Sequence, residues 1–146
     1  MTTVDIRDVN TVEGCPKDLI EKAGCESFVE FRVSDSIEFL RNTNETYDFI
    51  FLDGSHTYEQ VYEELPIAFE KLSENGLILF HDYFPNLEPL WPSSRSVITG
   101  PYQAVQSRLS EGLKLYVQPC GSLPSDWKTK YPGETNTSLA LGAKYV

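Results

Sequence analysis

The feature that most constrains this chain is a pair of apolar runs that break off in the same way. "YDFIFLD" (47–53) leads into Gly54, Ser55 and His56, and "GLILFHD" (76–82) ends in His81 and Asp82. Nearly continuous apolar runs of this length suit strands buried on both faces, as in parallel sheets. Residues 57–74 between them read as a helix. Thr57 and Gln60 have the spacing of a capping box. Tyr58, Val61, Tyr62, Leu65, Phe69 and Leu72 share one helical face, and Asn75-Gly76 supplies a stop signal. Pro66 is expected to kink or split this helix, because it removes an amide donor and crowds the preceding turn. Strand, helix and strand in this order place both strand ends on one side of a sheet. That is where ligands sit in open α/β folds.

The rest of the chain fits the same plan. "TTVDI" (2–6) is a short β-type run and "PKDLIEKA" (16–23) a short helix with Pro16 in its first turn. "SFVEFRV" (27–33) alternates like a strand, and "SDSIEFLRN" (34–42) reads as a helix capped by Ser34 or Asp35. Residues 84–101 hold four prolines and form a long loop of the kind that covers binding sites. "YQAVQSRLSEG" (102–112) is a short amphipathic helix. "LKLYVQP" (113–119) and "SLALGAKYV" (138–146) are strands separated by an irregular stretch. The order β-α-β-α-β-α-β-loop-α-β-β predicts an α/β fold with a mostly parallel sheet and helices on both faces. The last two strands have no helix between them, so one of them is antiparallel.

At 146 residues the chain is expected to form one domain, 1–146. Its net charge of −10 argues against a nucleic acid or an anionic membrane as partner. A neutral or cationic small molecule is easier to accommodate. No apolar run approaches the ~20 residues that span a bilayer, and "MTTVDIRDVN" lacks the pattern of a secretory signal. A cytoplasmic protein is expected. Cys15, Cys25 and Cys120 form no Cys-x-x-Cys pair and read as free thiols.

Four groups of polar residues fall at predicted strand ends: Asp5, Asp35, the Asp53–His56 turn, and His81-Asp82. Both histidines of the chain are among them. If the two apolar strands are parallel neighbours about 4.8 Å apart, their terminal groups converge. Two carboxylates suit a hard cation such as Mg²⁺, and added imidazoles shift the preference towards Zn²⁺, Mn²⁺ or Fe²⁺. Either histidine could instead act as a general base, since imidazole titrates near neutrality. The structural alternatives are plain. Asp-Gly is a common turn pair, Ser55 and Thr57 serve helix caps, and His81-Asp82 could simply close a strand. Glu59, Glu63 and Glu64 read as a solvated helix face, and Tyr58 and Tyr62 as packing residues.

The segment "YDFIFLDGSHTYEQVYEELPIAFEKLSENGLILFHDYF" resembles the fourth strand, following helix and fifth strand of class I S-adenosylmethionine-dependent methyltransferases. Its "D-G-x-H-x-Y" and "H-D-Y" pattern is similar to the branch of macrocin O-methyltransferases and cephalosporin hydroxylase-like proteins. The resemblance implies a Rossmann-like methyltransferase sheet, S-adenosylmethionine as methyl donor, and O-methyl transfer to a small-molecule acceptor, with Mg²⁺ or another divalent metal in metal-dependent members. It implies that Asp5 holds the donor's ribose, that Asp35 and Ser36 lie by the adenine, and that Asp53 borders the donor. Asp53 and Asp82 would hold the metal, and His56 and His81 would act at the metal or acceptor.

The sequence departs from the family at one point. The expected glycine-rich turn, G-x-G-x-G after a first strand, does not occur: the first glycine is Gly14 and the next is Gly24. Glycine is needed there because only a bare backbone lets the ligand approach. The absent strand would lie between those ending at Asp5 and Asp53, so these two are expected to pair directly or with another chain. Three accounts follow. The chain is the C-terminal portion of a longer methyltransferase, the expectation adopted here. Or it completes its sheet in trans as a homo-oligomer. Or it is a non-catalytic binding module. A metal-dependent hydroxylase of the same branch is a further alternative.

Overall fold

The computed structural model describes residues 1–88, 97–121 and 137–145. The chain divides into two compact units, Met1–Asn44 and Glu45–Val146.

In the first unit β1 (Thr2–Asp5) pairs in parallel with β2 (Glu30–Val33), and Asp5 lies opposite Val33. Between them run α1 (Pro16–Lys22) and a 3-10 turn at Glu26–Phe28, which takes the first half of the run expected as one strand. Gly24 follows α1 with φ +66, a conformation that favours glycine. After β2, Asp35 caps α2 (Ser36–Asn42) by accepting the backbone N–H of Glu38 at 3.0 Å. Cys15, Ile37 and Leu40 are the buried apolar side chains of this unit among the described residues.

The second unit contains β3 (Tyr47–Leu52), α3 (Tyr58–Lys71), β4 (Leu72–Phe80), α4 (Gly100–Ser110), β5 (Leu115–Pro119) and β6 (Ala140–Lys144). Its sheet has the order β3-β4-β6-β5. β3 and β4 are parallel, and β6 runs antiparallel to both β4 and β5. The core consists of Val61, Leu65, Ala68, Leu72, Ile78, Phe80, Tyr83, Phe84, Ala104, Val105, Leu115 and Ala140, all buried. One sheet face thus packs against helices. On β3 and β5, by contrast, Phe49, Phe51 and Tyr116 are about half exposed. β3 is therefore an edge strand and not one buried on both faces. Direct pairing of β1 with β3 was expected; each strand is found in the sheet of its own unit, β1 beside β2 and β3 beside β4.

The α3–β4 junction also differs from expectation. The helix ends at Lys71, and Asn75-Gly76 falls inside β4 as an irregularity, where Tyr47 faces Leu72 but Phe49 already faces Leu77. A Cβ on Gly76 would come within 2.9 Å of the Tyr47 carbonyl oxygen, which explains the glycine.

Pro66 does not split α3. It does leave the carbonyl of Tyr62, four residues earlier, without its helical donor. Arg108 of α4 supplies one: its Nε donates to Tyr62 O at 2.8 Å, while its guanidinium stacks 3.5 Å over the Tyr62 ring. Tyr62 in turn donates from its hydroxyl to Glu111 at 2.6 Å, and Glu111 pairs with Arg108 at 3.0 Å. Tyr58 stacks on Tyr62 and bonds Ser107, so both tyrosines pack between the helices.

Arg108→Ala should lower unfolding free energy by about 1–3 kcal/mol through the lost acceptor and charge pair. The loss should be smaller in a Pro66→Ala background, where residue 66 regains an N–H for Tyr62. Equal losses in both backgrounds, measured by urea denaturation, would show that Arg108 does not serve the proline gap.

Candidate functional site

The site is built by the β3–β4 ladder. Leu52 lies opposite Phe80, and the next rung is closed by His81 N–H donating to Leu52 O at 3.0 Å. Asp53 and His81 therefore leave the sheet side by side. His81 Nδ1 lies 2.7 Å from Asp53 Oδ1. That nitrogen is buried and makes no hydrogen bond, so the close approach lacks hydrogen-bond alignment. Phe51 meets the His81 ring edge-on, with ring centres 6.2 Å apart.

His56 reaches the same place from the turn into α3. Thr57 caps that helix by accepting Gln60 N–H at 3.4 Å, and Ser55 Oγ lies 3.2 Å from Thr57 Oγ1. These two hydroxyls thus do the structural work read from the sequence. The His56 and His81 rings are 5.8 Å apart. Asp82 Oδ2 lies 3.5 Å from His56 Nδ1 and 3.6 Å from His81 Nδ1, with its side chain only 15% exposed. Asp82 adopts φ +49, a strained conformation that short polar side chains tolerate best.

Two neighbours hold this arrangement in place. Tyr83, directly after Asp82, is 3% exposed; its N–H donates to Ser138 O at 2.8 Å and its hydroxyl accepts from Gln106 at 3.0 Å. Burial pushes the Tyr83 phenol above its ordinary range, against a lowering influence from Gln106. Gly100, at the start of α4, packs onto the backbone of the His56–Tyr58 turn. A Cβ there would collide with His56 O and come within 2.7 Å of Tyr58 N.

A small cleft at this end of the sheet is lined by Leu52, Val61, Glu64, Phe80 and Pro101 together with both histidines. Glu64 is 4% exposed. It belongs to the buried stripe of α3, with Val61, Leu65 and Ala68, and not to its solvated face. The spacing that carries Val61, Leu65 and Ala68 inward could have revealed it, since position 64 falls on the same helical stripe.

The remaining sequence candidates lie in the first unit. Asp5 ends β1 and accepts Arg7 N–H at 2.8 Å. It lines a shallow cleft with Thr3, Asp8, Asn10, Phe31 and Arg32. Asp35 follows the neighbouring strand, where its carboxylate caps α2 and Ser36 begins that helix. Loop 84–101 is described only at its ends; residues 89–96 lie outside the described residues. All three cysteines are free. No helix among the described residues is long and apolar enough to cross a membrane.

Residues 2–83 match a family model described as "Methyltransferase domain". Among solved structures, the cofactor-bound Rv0187 from MTB is similar with a TM-score of 0.68 and 13% identity, over 98% of this chain and 60% of that one. The O-methyltransferase from Bacillus cereus, in complex with SAH, gives 0.61 and 15% over 98% of this chain and 62% of that one. The O-methyltransferase TomG from Streptomyces achromogenes, involved in tomaymycin synthesis and in complex with SAM, gives 0.63 and 12% over 99% and 60%. These likenesses show the Rossmann-like methyltransferase fold. The chain spans about three fifths of the length of these structures. No match is found among curated proteins.

Gly100→Ala should cost about 1–3 kcal/mol, because backbone and not a flexible side chain must yield; an unchanged melting temperature would contradict the close packing. A second expectation concerns alkali. The folded Tyr83 phenol titrates above its unfolded value, so its contribution is complete below that value and declines as pH rises from about 10 through the folded value. Tyr83→Phe should therefore lose stability near neutral pH, by about 1 kcal/mol for the orphaned Gln106 donor. Its denaturation midpoint should fall less steeply than that of the parent above pH ~10.

Proposed function

We propose that this chain, which belongs to the methyltransferase-domain family, takes part in methyl transfer from S-adenosylmethionine to an oxygen of a small-molecule acceptor. The observation that carries this reading is the convergence of Asp53, His56, His81 and Asp82 at the carboxyl ends of two parallel neighbouring strands. An acceptor hydroxyl placed among them faces two imidazoles, either of which could take its proton, with two carboxylates beside those rings. The oxygen then attacks the methyl carbon in line with the breaking carbon–sulfur bond, so positioning is the main demand on the protein.

The donor fits the first unit in part. Asp5, with one oxygen fixed by the Arg7 N–H, suits two adjacent ribose hydroxyls. Asp35 and Ser36 would border the adenine, with the Asp35 carboxylate engaged as a cap. A divalent cation held by Asp53 and Asp82 would supply Lewis-acid activation of the acceptor hydroxyl.

A second reading is favoured by the open edge of β3. The outer edge of β3 is unpaired among the described residues, and Phe49 and Phe51 are exposed beside it. Such an edge is a template for a further strand, and a second copy could supply it as a homo-oligomer with or without catalysis. A hydroxylase is a third possibility, supported by two imidazoles and one carboxylate, a ligand set used with Fe²⁺.

Calorimetric titration of the full chain with S-adenosylmethionine tests the first reading. Binding that weakens at least ~10-fold in Asp5→Asn, the loss expected from a charge-assisted bond, would support it; no binding would exclude autonomous methyl transfer. Sedimentation separates the second reading, since a strict monomer that binds the donor would contradict it. Oxygen consumption with Fe²⁺ would favour the third.

A further inference from the structure

We infer that the face of the second unit's sheet turned away from its buried core is a docking surface for a second copy of this chain. The strand register defines that face. Across the four strands Phe49, Leu77, Ala143 and Tyr116 are partners in one row, and Phe51, Leu79, Leu141 and Gln118 in the next. Paired residues point to one side of a sheet and successive residues to opposite sides, so both rows share a face. The intervening Ile78, Phe80, Leu115 and Ala140 are buried on the other face. The sheet is thus apolar on both faces, and only one of them is buried among the described residues.

On the second face Phe49 is 55% exposed, Phe51 48% and Tyr116 53%. Tyr145, whose ring meets Tyr116 edge-on at 6.5 Å, is 60% exposed. A buried aromatic side chain hides ~150–250 Å², so covering these four removes roughly 400 Å² per copy. No charged residue interrupts either row, although the chain carries a net charge of −10. An apolar patch of this size marks a contact surface.

Extent, shape and charge select a second copy as the occupant. β3 and β5 are three strand spacings apart, about 14 Å. A single helix, ~10–12 Å across, leaves one aromatic edge bare, whereas an identical sheet face matches the whole width. Two such faces pack as aligned sheets about 10 Å apart. A half-turn about an axis parallel to the strands lays β4 of one copy over β6 of the other, and β3 over β5. Leu77 then meets the small Ala143 of the other copy, and the phenylalanine edge meets the tyrosine edge. Exposed Glu45 and Lys114 stand just before β3 and β5, which run in the same direction. The same half-turn lays the Lys114 end of each copy over the Glu45 end of the other, which sets opposite charges at the rim. The roughly 400 Å² of aromatic surface is about half of the ~800 Å² that each partner buries in a standard interface, and the polar rim supplies the rest.

This surface is distinct from the open edge of β3, where a further strand adds in the plane of the sheet. It does not rest on the methyl-transfer reading.

Sedimentation equilibrium of the full chain over a range of concentrations tests the proposal. A monomer–dimer equilibrium of micromolar Kd or tighter is expected, as for interfaces of standard size. Tyr116→Glu should weaken it at least ~10-fold, as removal of an aromatic anchor does. Tyr116 lies on the opposite edge strand from β3, so strand addition at β3 would not respond to this change. A chain that stays monomeric at ~100 μM, far above those affinities, would overturn the proposal and leave the face to a different protein. A dimer that Tyr116→Glu leaves intact would overturn it in favour of the β3 edge. The unmodified chain gives a second measurement, which holds even if the variant misfolds. Emission of the dye ANS, which reports exposed apolar surface, should fall per chain over the concentrations at which the mass doubles. Emission that stays constant while the mass doubles would place the interface elsewhere and overturn the assignment.

Discussion

The second unit depends on the parallel register of β3 and β4. With Leu52 opposite Phe80, the bond from His81 N–H to Leu52 O places Asp53 beside His81. Side chains alternate along a strand, so a slip of one residue would exchange the buried Phe80 with His81. The cost of burying an imidazole in place of a phenyl ring therefore guards the geometry of the site. Core packing and placement of the polar groups are one constraint.

This coupling explains why so much was legible. The apolar runs 47–53 and 76–82 located β3 and β4, and their shared polar endings located Asp53, His56, His81 and Asp82, because a parallel βαβ unit brings successive strand ends together. The cap at Thr57 and the antiparallel β6 followed from local chemistry and from connection length. Four features were not legible. Glu64 looked like one acid among several on α3, because its charge masked the stripe it shares with Val61, Leu65 and Ala68. Asn75-Gly76 carried a strong turn signal that β4 absorbs as an irregularity. Phe49 and Phe51 read as buried because hydrophobicity reports what a side chain prefers and not what covers it. The β3 edge was expected to pair with β1 or with another chain, and among the described residues β1 pairs with β2.

The site also shows how one element is held by its neighbours. Gly100 lets α4 rest on the backbone of the His56 turn, and Tyr83 and Gln106 tie the residue after Asp82 to the same helix. Neither Gly100 nor Gln106 offers a chemical signature, since each acts by shape or by a single bond. Their importance emerges only when the distances around His56 and Asp82 are known.

Pro66 leaves α3 one bond short until Arg108 arrives from α4. α3 is thus incomplete in isolation, so the pair should form and open as a single cooperative unit. Amide hydrogens near Tyr62 and Arg108 would then exchange at a common rate, set by separation of the helices and not by fraying of either one. A proline that weakens a helix locally thereby becomes a device that binds two helices into one folding event.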